Sequence, residues 1–406
     1  MPRKIIFLIA DGMGDYPCSE LNDKTPLLAA NTPNMDYLAS KGTVGRCQTI
    51  PAGMPAGSDI ANMSLMGYDP LVYHTGRGPI EAAAQGLELT PSDLIYRLNL
   101  CQVSEFSKQG VMLDYCAGHI ETQTANNLME KLQNQLKDED FQLIPGMQYR
   151  HLLLQKNATE SLEADISINP PHDITNQPLQ TDLEAFSRSR KLHSLVTQAA
   201  AILANNDNNS SANAIWPWGQ GPPLKLPEFK ANYNYQGGVI SAVDLIKGLG
   251  RAAGLEVANI PGATGLIDTN YAGKVEKARK ILKEKDFVYL HVEAPDECGH
   301  SGNAEDKIKA IQYFDKYIVG PLIQEMEAYG AACLLACDHL TPLSERTHTR
   351  DPVPFIFFDP LEKEDSGLSH FSEYSATASN IFVQEGHLLL SWVLKQMGEK
   401  NVQNQQ

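Results

Sequence analysis

Nowhere in the sequence do apolar residues run for the roughly 20 positions that a membrane-spanning helix requires. The opening stretch KIIFLIA (residues 4–10) is far too short, lacks a small-residue cleavage site and runs straight into DGMGD. It therefore reads as a buried strand, and the chain as cytoplasmic and free of the membrane. Basic residues are also scarce: 33 Lys and Arg stand against 49 Asp and Glu, for a formal charge of -16. Net repulsion from phosphate backbones argues against a nucleic-acid or membrane-surface binder, while a small anion in a local basic pocket stays compatible. The seven cysteines are odd in number and without paired spacing, which fits reduced thiols better than a disulfide framework. Cys298 and Cys337 read as small packed residues. No internal repeat is evident.

What is present is enough chain, 406 residues, for one large domain with an insertion or for two domains. Apolar runs at 4–10, 287–293, 332–338 and 354–358 lack alternation and predict strands covered on both faces. Helical patterns at 59–67, 122–137, 273–284, 304–328 and 385–397 complete an α/β layered architecture. The pattern turns polar and mixed near residue 95. The expected organisation is thus a discontinuous core, 1–95 and 186–406, carrying a smaller inserted α+β domain at 96–185. Residues 205–214 read as a flexible surface loop and 399–406 as a frayed tail.

Polar residues end three of the apolar runs: Asp11, then Asp296 with His300, then Asp338 with His339. Ligands of open parallel sheets gather outside the carboxyl ends of the strands, so these segments are expected to converge. Singly, each Asp reads first as a helix cap or turn residue. With His348 the set offers three carboxylates and three imidazoles, a mixture suited to zinc, manganese or a similar divalent ion rather than calcium. In PAGMPAGSDIANMSLMGYDP (51–70), Ser58 reads locally either as a helix cap or as a nucleophile. Counted with the others it makes seven ligands, enough for two adjacent cations that activate the serine and neutralise a phosphoryl group in in-line displacement.

The motifs DGMGD, PAGSDIANMSLMGYDP, YHTGRGPIEAAAQG, AGHI, WPWGQG, PGATGLIDTN, DECGHSGN, CDHLTP and HTRDPVP span residues 11–354 in order. Together they resemble the alkaline phosphatase superfamily and, within it, the archaeal type of cofactor-independent phosphoglycerate mutases. The resemblance implies a three-layer α/β/α core, a smaller inserted domain and two divalent metal ions, usually Mn2+, Zn2+ or Mg2+, with no 2,3-bisphosphoglycerate. By motif match, one ion falls to Asp11, Ser58, Asp338 and His339 and the other to Asp296, His300 and His348. Ser58 is then the residue that takes the phosphoryl group, and Lys247 resembles in position a lysine that contacts it.

A phosphorylated hydroxy acid carries two anionic groups and needs bidentate or charged donors. Arg77, Arg97, His119, Arg150 and His151 are basic residues in glycine-flanked or strand-like segments and are candidates, with solvated or salt-bridged roles as the plain alternative. Gln220 follows Trp216 and Trp218 in a rigid aromatic segment that the resemblance places near the cleft. Asp59 or Asp173 is expected to shuttle the hydroxyl proton, and the inserted domain to close as a lid over glycerate. Rival readings are a phosphatase, a phosphotransferase such as one acting on homoserine, and a metal-binding protein without catalysis.

Overall fold

The structure is a computed structural model that describes residues 2–136, 139–204, 210–363 and 365–398. Residue 137 of one expected helix, residues 205–209 of the expected 205–214 loop and the expected tail at 399–406 lie outside the described residues. Thirteen strands follow along the described chain: β1 (Ile5–Ala10), β2 (Thr43–Cys47), β3 (Leu94–Val103), β4 (Met112–Asp114), β5 (Phe141–Met147), β6 (Arg150–Gln155), β7 (Ala214–Gly221), β8 (Gly237–Ile240), β9 (Glu256–Ala258), β10 (Phe287–Val292), β11 (Ala332–Ala336), β12 (Val353–Phe358) and β13 (Phe382–Val383).

The chain divides into two units, one formed by Met1–His74 with Lys225–Gln406 and the other by Thr75–Leu224. The second unit is wider than the expected 96–185. The helix Arg77–Gln85 packs on β3 and β6 through Ala82, Ile95, Leu152 and Leu154, and β7 pairs with β3, so both flanks belong to the second unit's own sheet.

In the first unit an eight-stranded sheet runs β13-β2-β12-β11-β1-β10-β8-β9. β1, β10, β11 and β12 are buried at every residue, as expected of strands covered on both faces. β1 lies between β11 and β10, parallel to both. The sheet is not wholly parallel: β12 runs antiparallel to β11 and to β2. The expected helix at 304–328 is interrupted, since Ala304–Phe314 passes through a π turn at Asp315–Val319 into Gly320–Tyr329. Among the described residues no helix is long and apolar enough to cross a membrane, and the seven cysteines are free thiols.

The second unit is built on an antiparallel sheet in which β3 pairs with β4, β6 and β7, and β6 with β5. Alternation sorts its residues. Leu94, Tyr96, Leu98, Leu100 and Leu153 face a core shared with helices Thr122–Leu136 and Arg190–Ala204, while Ile95, Leu152 and Leu154 face Arg77–Gln85.

Candidate active site

Asp11, Asp296 and Asp338 follow the carboxyl ends of β1, β10 and β11, the three adjacent parallel strands, and so meet as expected. Asp296 and His300 share one face of the helix Ala294–Ser301 through their i, i+4 spacing. Two groups result, Asp11 with Asp338 and His339, and Asp296 with His300 and His348. They adjoin, for the His339 and His348 rings lie 3.9 Å apart.

Hydrogen bonding fixes where the lone pairs point. His300 Nδ1 stands 3.0 Å from the Arg346 carbonyl, which can only accept. Its Nε2 then faces Asp296 Oδ2 at 3.1 Å and His348 Nε2 at 3.0 Å. In the other group Thr341 Oγ1 donates to Asp296 Oδ1 at 2.5 Å and receives His339 Nδ1–H at 3.2 Å. That leaves His339 Nε2 facing Ser58 Oγ at 3.0 Å, Asp338 Oδ2 at 3.4 Å and Asp11 Oδ1 at 3.5 Å. Asp11 Oδ1 is buried without a hydrogen-bond partner. Acceptors that converge in this way fit a cation, and the mixed imidazole and carboxylate donors fit a borderline divalent one.

The electrostatics show the crowding of charge in this cluster, in which protons occupy positions that a cation would take. Burial first, then the charges of Asp338 and Asp296, drives the Asp11 carboxyl well above its ordinary value. Burial alone would raise Asp296, but hydrogen bonds from His300 and His348 hold it well below the carboxylate range. Burial disfavours the His300 cation, yet the Asp296 hydrogen bond and charge lift it to about 9. His339 is pushed down by burial to about 4, which keeps it neutral and able to ligate.

Neighbours hold these ligands. His291 Nε2 lies 2.9 Å from Asp11 Oδ2, and burial lowers this imidazole to about 3, so it donates as a neutral ring. Its Nδ1 is 3.1 Å from Ser241 Oγ, which itself accepts from Val243 N–H. Asn62 donates to Asp338 Oδ2 at 2.7 Å and to the Ser58 carbonyl at 2.9 Å, tying the serine's helix to a ligand. Gly12 has φ +59, and a Cβ there would stand 2.5 Å from Asp296 Oδ1 and 2.6 Å from Thr341 Oγ1. Only glycine fits that position without a shift.

Ser58 is not the cap. It is the first residue of the helix Ser58–Leu65, and extended Gly57 (φ -174) occupies the cap position. The half-buried hydroxyl is thus left to meet His339. Asp59 Oδ2 pairs with His74 Nε2 at 2.9 Å. Lys247, on the helix Asp244–Ala252, is 3.2 Å from Asp244 Oδ1.

The remaining expected residues lie in the second unit. Arg97 is buried, donates to Glu81 Oε1 at 2.7 Å and sits 5.1 Å from the Trp218 ring, with Nε unpartnered. Burial lowers it to about 10 against the pull of Glu81. Arg77, 3.5 Å from the same Glu81 oxygen, lies 5.5 Å from the same ring. Ring contacts continue from Trp218 to His172 at 5.4 Å, to Tyr115 at 5.9 Å and to Tyr149 at 5.7 Å. Arg150 stacks on Tyr149 at 5.4 Å, and the His119 ring lies 6.5 Å from it. His151 departs from this line: it shares the core-facing side of β6 with Leu153, is 1% exposed and accepts from Gly146 N–H through Nδ1. Gln220 donates to the carbonyls of Ile166 and Glu163. Asp173 is largely exposed, 3.6 Å from His172 Nε2.

Sequence reasoning did not single out Thr341, His291, Asn62 or His172. The first lay inside CDHLTP and the last inside PPHDI, while a histidine in the apolar run FVYLHV was the one signal for His291.

Comparison with known proteins gives consistent results. The family model described as 2,3-bisphosphoglycerate-independent phosphoglycerate mutase matches residues 39–209. A probable 2,3-bisphosphoglycerate-independent phosphoglycerate mutase of Geobacter sulfurreducens is 42% identical over 96% of this chain and 99% of its own length. The Methanosarcina barkeri enzyme of that name is 41% identical over 97% and 99%. Among solved structures, a Pyrococcus horikoshii protein superposes with a TM-score of 0.81 at 28% identity, covering 99% of each chain. The cofactor-independent phosphoglycerate mutase of Thermoplasma acidophilum gives 0.64 at 25% identity, covering 97% of this chain and 100% of its own.

Proposed function

Because the chain belongs to the 2,3-bisphosphoglycerate-independent phosphoglycerate mutase family, we infer that it interconverts 3-phosphoglycerate and 2-phosphoglycerate with Ser58 as phosphoryl acceptor and no 2,3-bisphosphoglycerate. The observation that carries this reading is Ser58 Oγ at the start of its helix, 3.0 Å from His339 Nε2, which also lies 3.5 Å from the unpartnered Asp11 Oδ1.

Asp11, Ser58, Asp338 and His339 would hold one divalent ion and Asp296, His300 and His348 a second, with Mn2+ or Zn2+ suiting the imidazoles and Mg2+ the carboxylates. Two such ions, when bound, supply Lewis-acid stabilisation of the charge on the transferring phosphoryl group and favour ionisation of the serine. The chain's own part is covalent. Ser58 Oγ forms a bond to phosphorus as the bond to the C3 oxygen breaks, glycerate turns, and its C2 hydroxyl takes the group back from phosphoserine. Of the two carboxylates considered for the proton, Asp59 is adjacent to Ser58 and held by His74, whereas Asp173 is 63% exposed in the second unit. We assign the shuttle to Asp59.

Recognition of the substrate's anionic groups is assigned to Arg77 and Arg97 around Trp218 and to His119 and Arg150 around Tyr149. Lys247 is assigned to the phosphoryl group. His151 and Gln220 are engaged in the second unit's packing and act on substrate only through it.

The test is to incubate Mn2+-loaded protein with 3-phosphoglycerate and follow 31P resonances. Conversion to 2-phosphoglycerate, with phosphate on Ser58 found by mass spectrometry after rapid quenching, is expected. Release of inorganic phosphate in its place would make the protein a phosphatase, and transfer to added homoserine a phosphotransferase.

A further inference from the structure

Lys307 is fully buried on the helix Ala304–Phe314, where a long cationic side chain costs several kcal/mol to desolvate. Its Nζ donates to Asp15 Oδ2 at 2.7 Å, to the Thr341 carbonyl at 2.8 Å and to the Gly14 carbonyl at 3.2 Å, which uses all three protons. Asp15 is equally satisfied, for its carboxylate also accepts from Tyr16 N–H at 2.7 Å and from Leu343 N–H at 3.2 Å.

These acceptors come from two different loops. Gly14 and Asp15 continue from Asp11 past the end of β1; Thr341 and Leu343 continue from Asp338 and His339 past the end of β11. Thr341 N–H also donates to the Gly14 carbonyl at 3.2 Å, and Met13 and Gly14 bridge to Leu340. The Thr341 hydroxyl in turn reaches Asp296 and His339, one member of each ligand group. A single ammonium therefore sets the spacing between the segments that bear the ligands. An apolar residue of similar volume would fill the same space without the desolvation cost, so the charge has to be accounted for by what it positions.

We propose that Lys307, paired with Asp15, is a positioning residue for the two-cation site: it holds the β1 and β11 loops in register so that both ligand groups are assembled before a cation arrives. The proposal rests on the metal reading of those groups. It touches neither substrate nor cation, and its effect passes through Asp15, Gly14 and Thr341.

Wild type, Lys307→Met and the double variant Lys307→Met with Asp15→Asn are titrated with Mn2+ by calorimetry, and the metal-free forms are melted. The single variant strands the Asp15 charge and is expected to lose both stability and Mn2+ affinity. The double variant removes both charges while keeping acceptors for Leu343 and Tyr16. It is expected to melt close to the wild type yet bind Mn2+ about 10- to 100-fold more weakly. Undiminished Mn2+ affinity in the folded double variant overturns the proposal alone. A wild type that binds no Mn2+ removes the metal reading itself, so the two failures are distinguishable.

Discussion

Ser58 Oγ and His339 Nε2 stand 3.0 Å apart across 281 positions of sequence. The serine is brought there by the start of a helix, the histidine by the end of β11, and neither contact survives without the other element. Replacing Ser58 by Ala leaves the Asp296, His300 and His348 group untouched. Mutase turnover is expected to fall by about a thousandfold or more, with no phosphoserine after quenching. A coupled assay for 2-phosphoglycerate reads the loss, and full turnover in folded, Mn2+-loaded Ser58→Ala would sink the covalent route.

Thr341 links the two ligand groups through one hydroxyl, which gives to Asp296 and receives from His339. Thr341→Val keeps the shape and removes both bonds. Mn2+ affinity is expected to drop about 10-fold or more, because the ligands lose their orienting partner. Thr341→Ser retains the hydroxyl and should stay near the wild type. Equal affinity for the two variants in calorimetric titration would count against the link.

Arg77 is one-third exposed, so its loss should spare the fold. At saturating Mn2+, Arg77→Ala is expected to raise KM for 3-phosphoglycerate about tenfold, the loss of one charged hydrogen bond, with a smaller change in kcat. Steady-state kinetics decide it: an unchanged KM would remove Arg77 from substrate recognition.

His151 predicts an acid limb in stability. Burial lowers this imidazole from 6.5 to about 4, outweighing a backbone hydrogen bond at Gln148 that raises it. Between those values the unfolded chain binds a proton that the folded chain refuses. The contribution is intact above pH 6.5 and is lost progressively as the pH falls to 4, amounting to about 3 kcal/mol. Urea unfolding at pH 7.5 and 4.5 measures it, read by fluorescence of Trp216 and Trp218, which lie in the same unit. His151→Gln keeps an acceptor for Gly146 and should flatten the difference. An identical pH slope in the two proteins would refute the assignment.

Asp11, Asp296 and Asp338 were readable as candidates because each follows an uninterrupted apolar run, and such runs become the adjacent buried strands β1, β10 and β11. Strand direction was not readable. Nothing in PFIFF distinguishes β12, antiparallel to β11, from the mutually parallel strands β1, β10 and β11, since periodicity reports burial and not polarity of the chain. The border of the second unit was missed for a related reason. Residues 77–85 and 214–221 have ordinary helical and strand character, and only pairing of β7 with β3 assigns them to that sheet. His291, Asn62, Thr341 and Lys307 matter through partners far away in sequence, for example Asp11 at 280 residues from His291. A local pattern gave Ser58 two meanings, and the position of Gly57 at the cap removes one of them.

The discontinuity of the first unit also fixes an order of events during synthesis. β1 leaves the ribosome early, yet its two partners are β10 and β11, with Ile5 opposite Phe287 and Ala332. Through the intervening synthesis it has no sheet to join. The second unit is continuous in sequence, with every strand partner inside Thr75–Leu224. It can therefore complete its fold while the first unit is still an open chain. The groups proposed to hold cations, drawn from residues 11 to 348, assemble last, and a nascent chain halted before β10 is a folded insert preceded by an apolar strand awaiting both its neighbours.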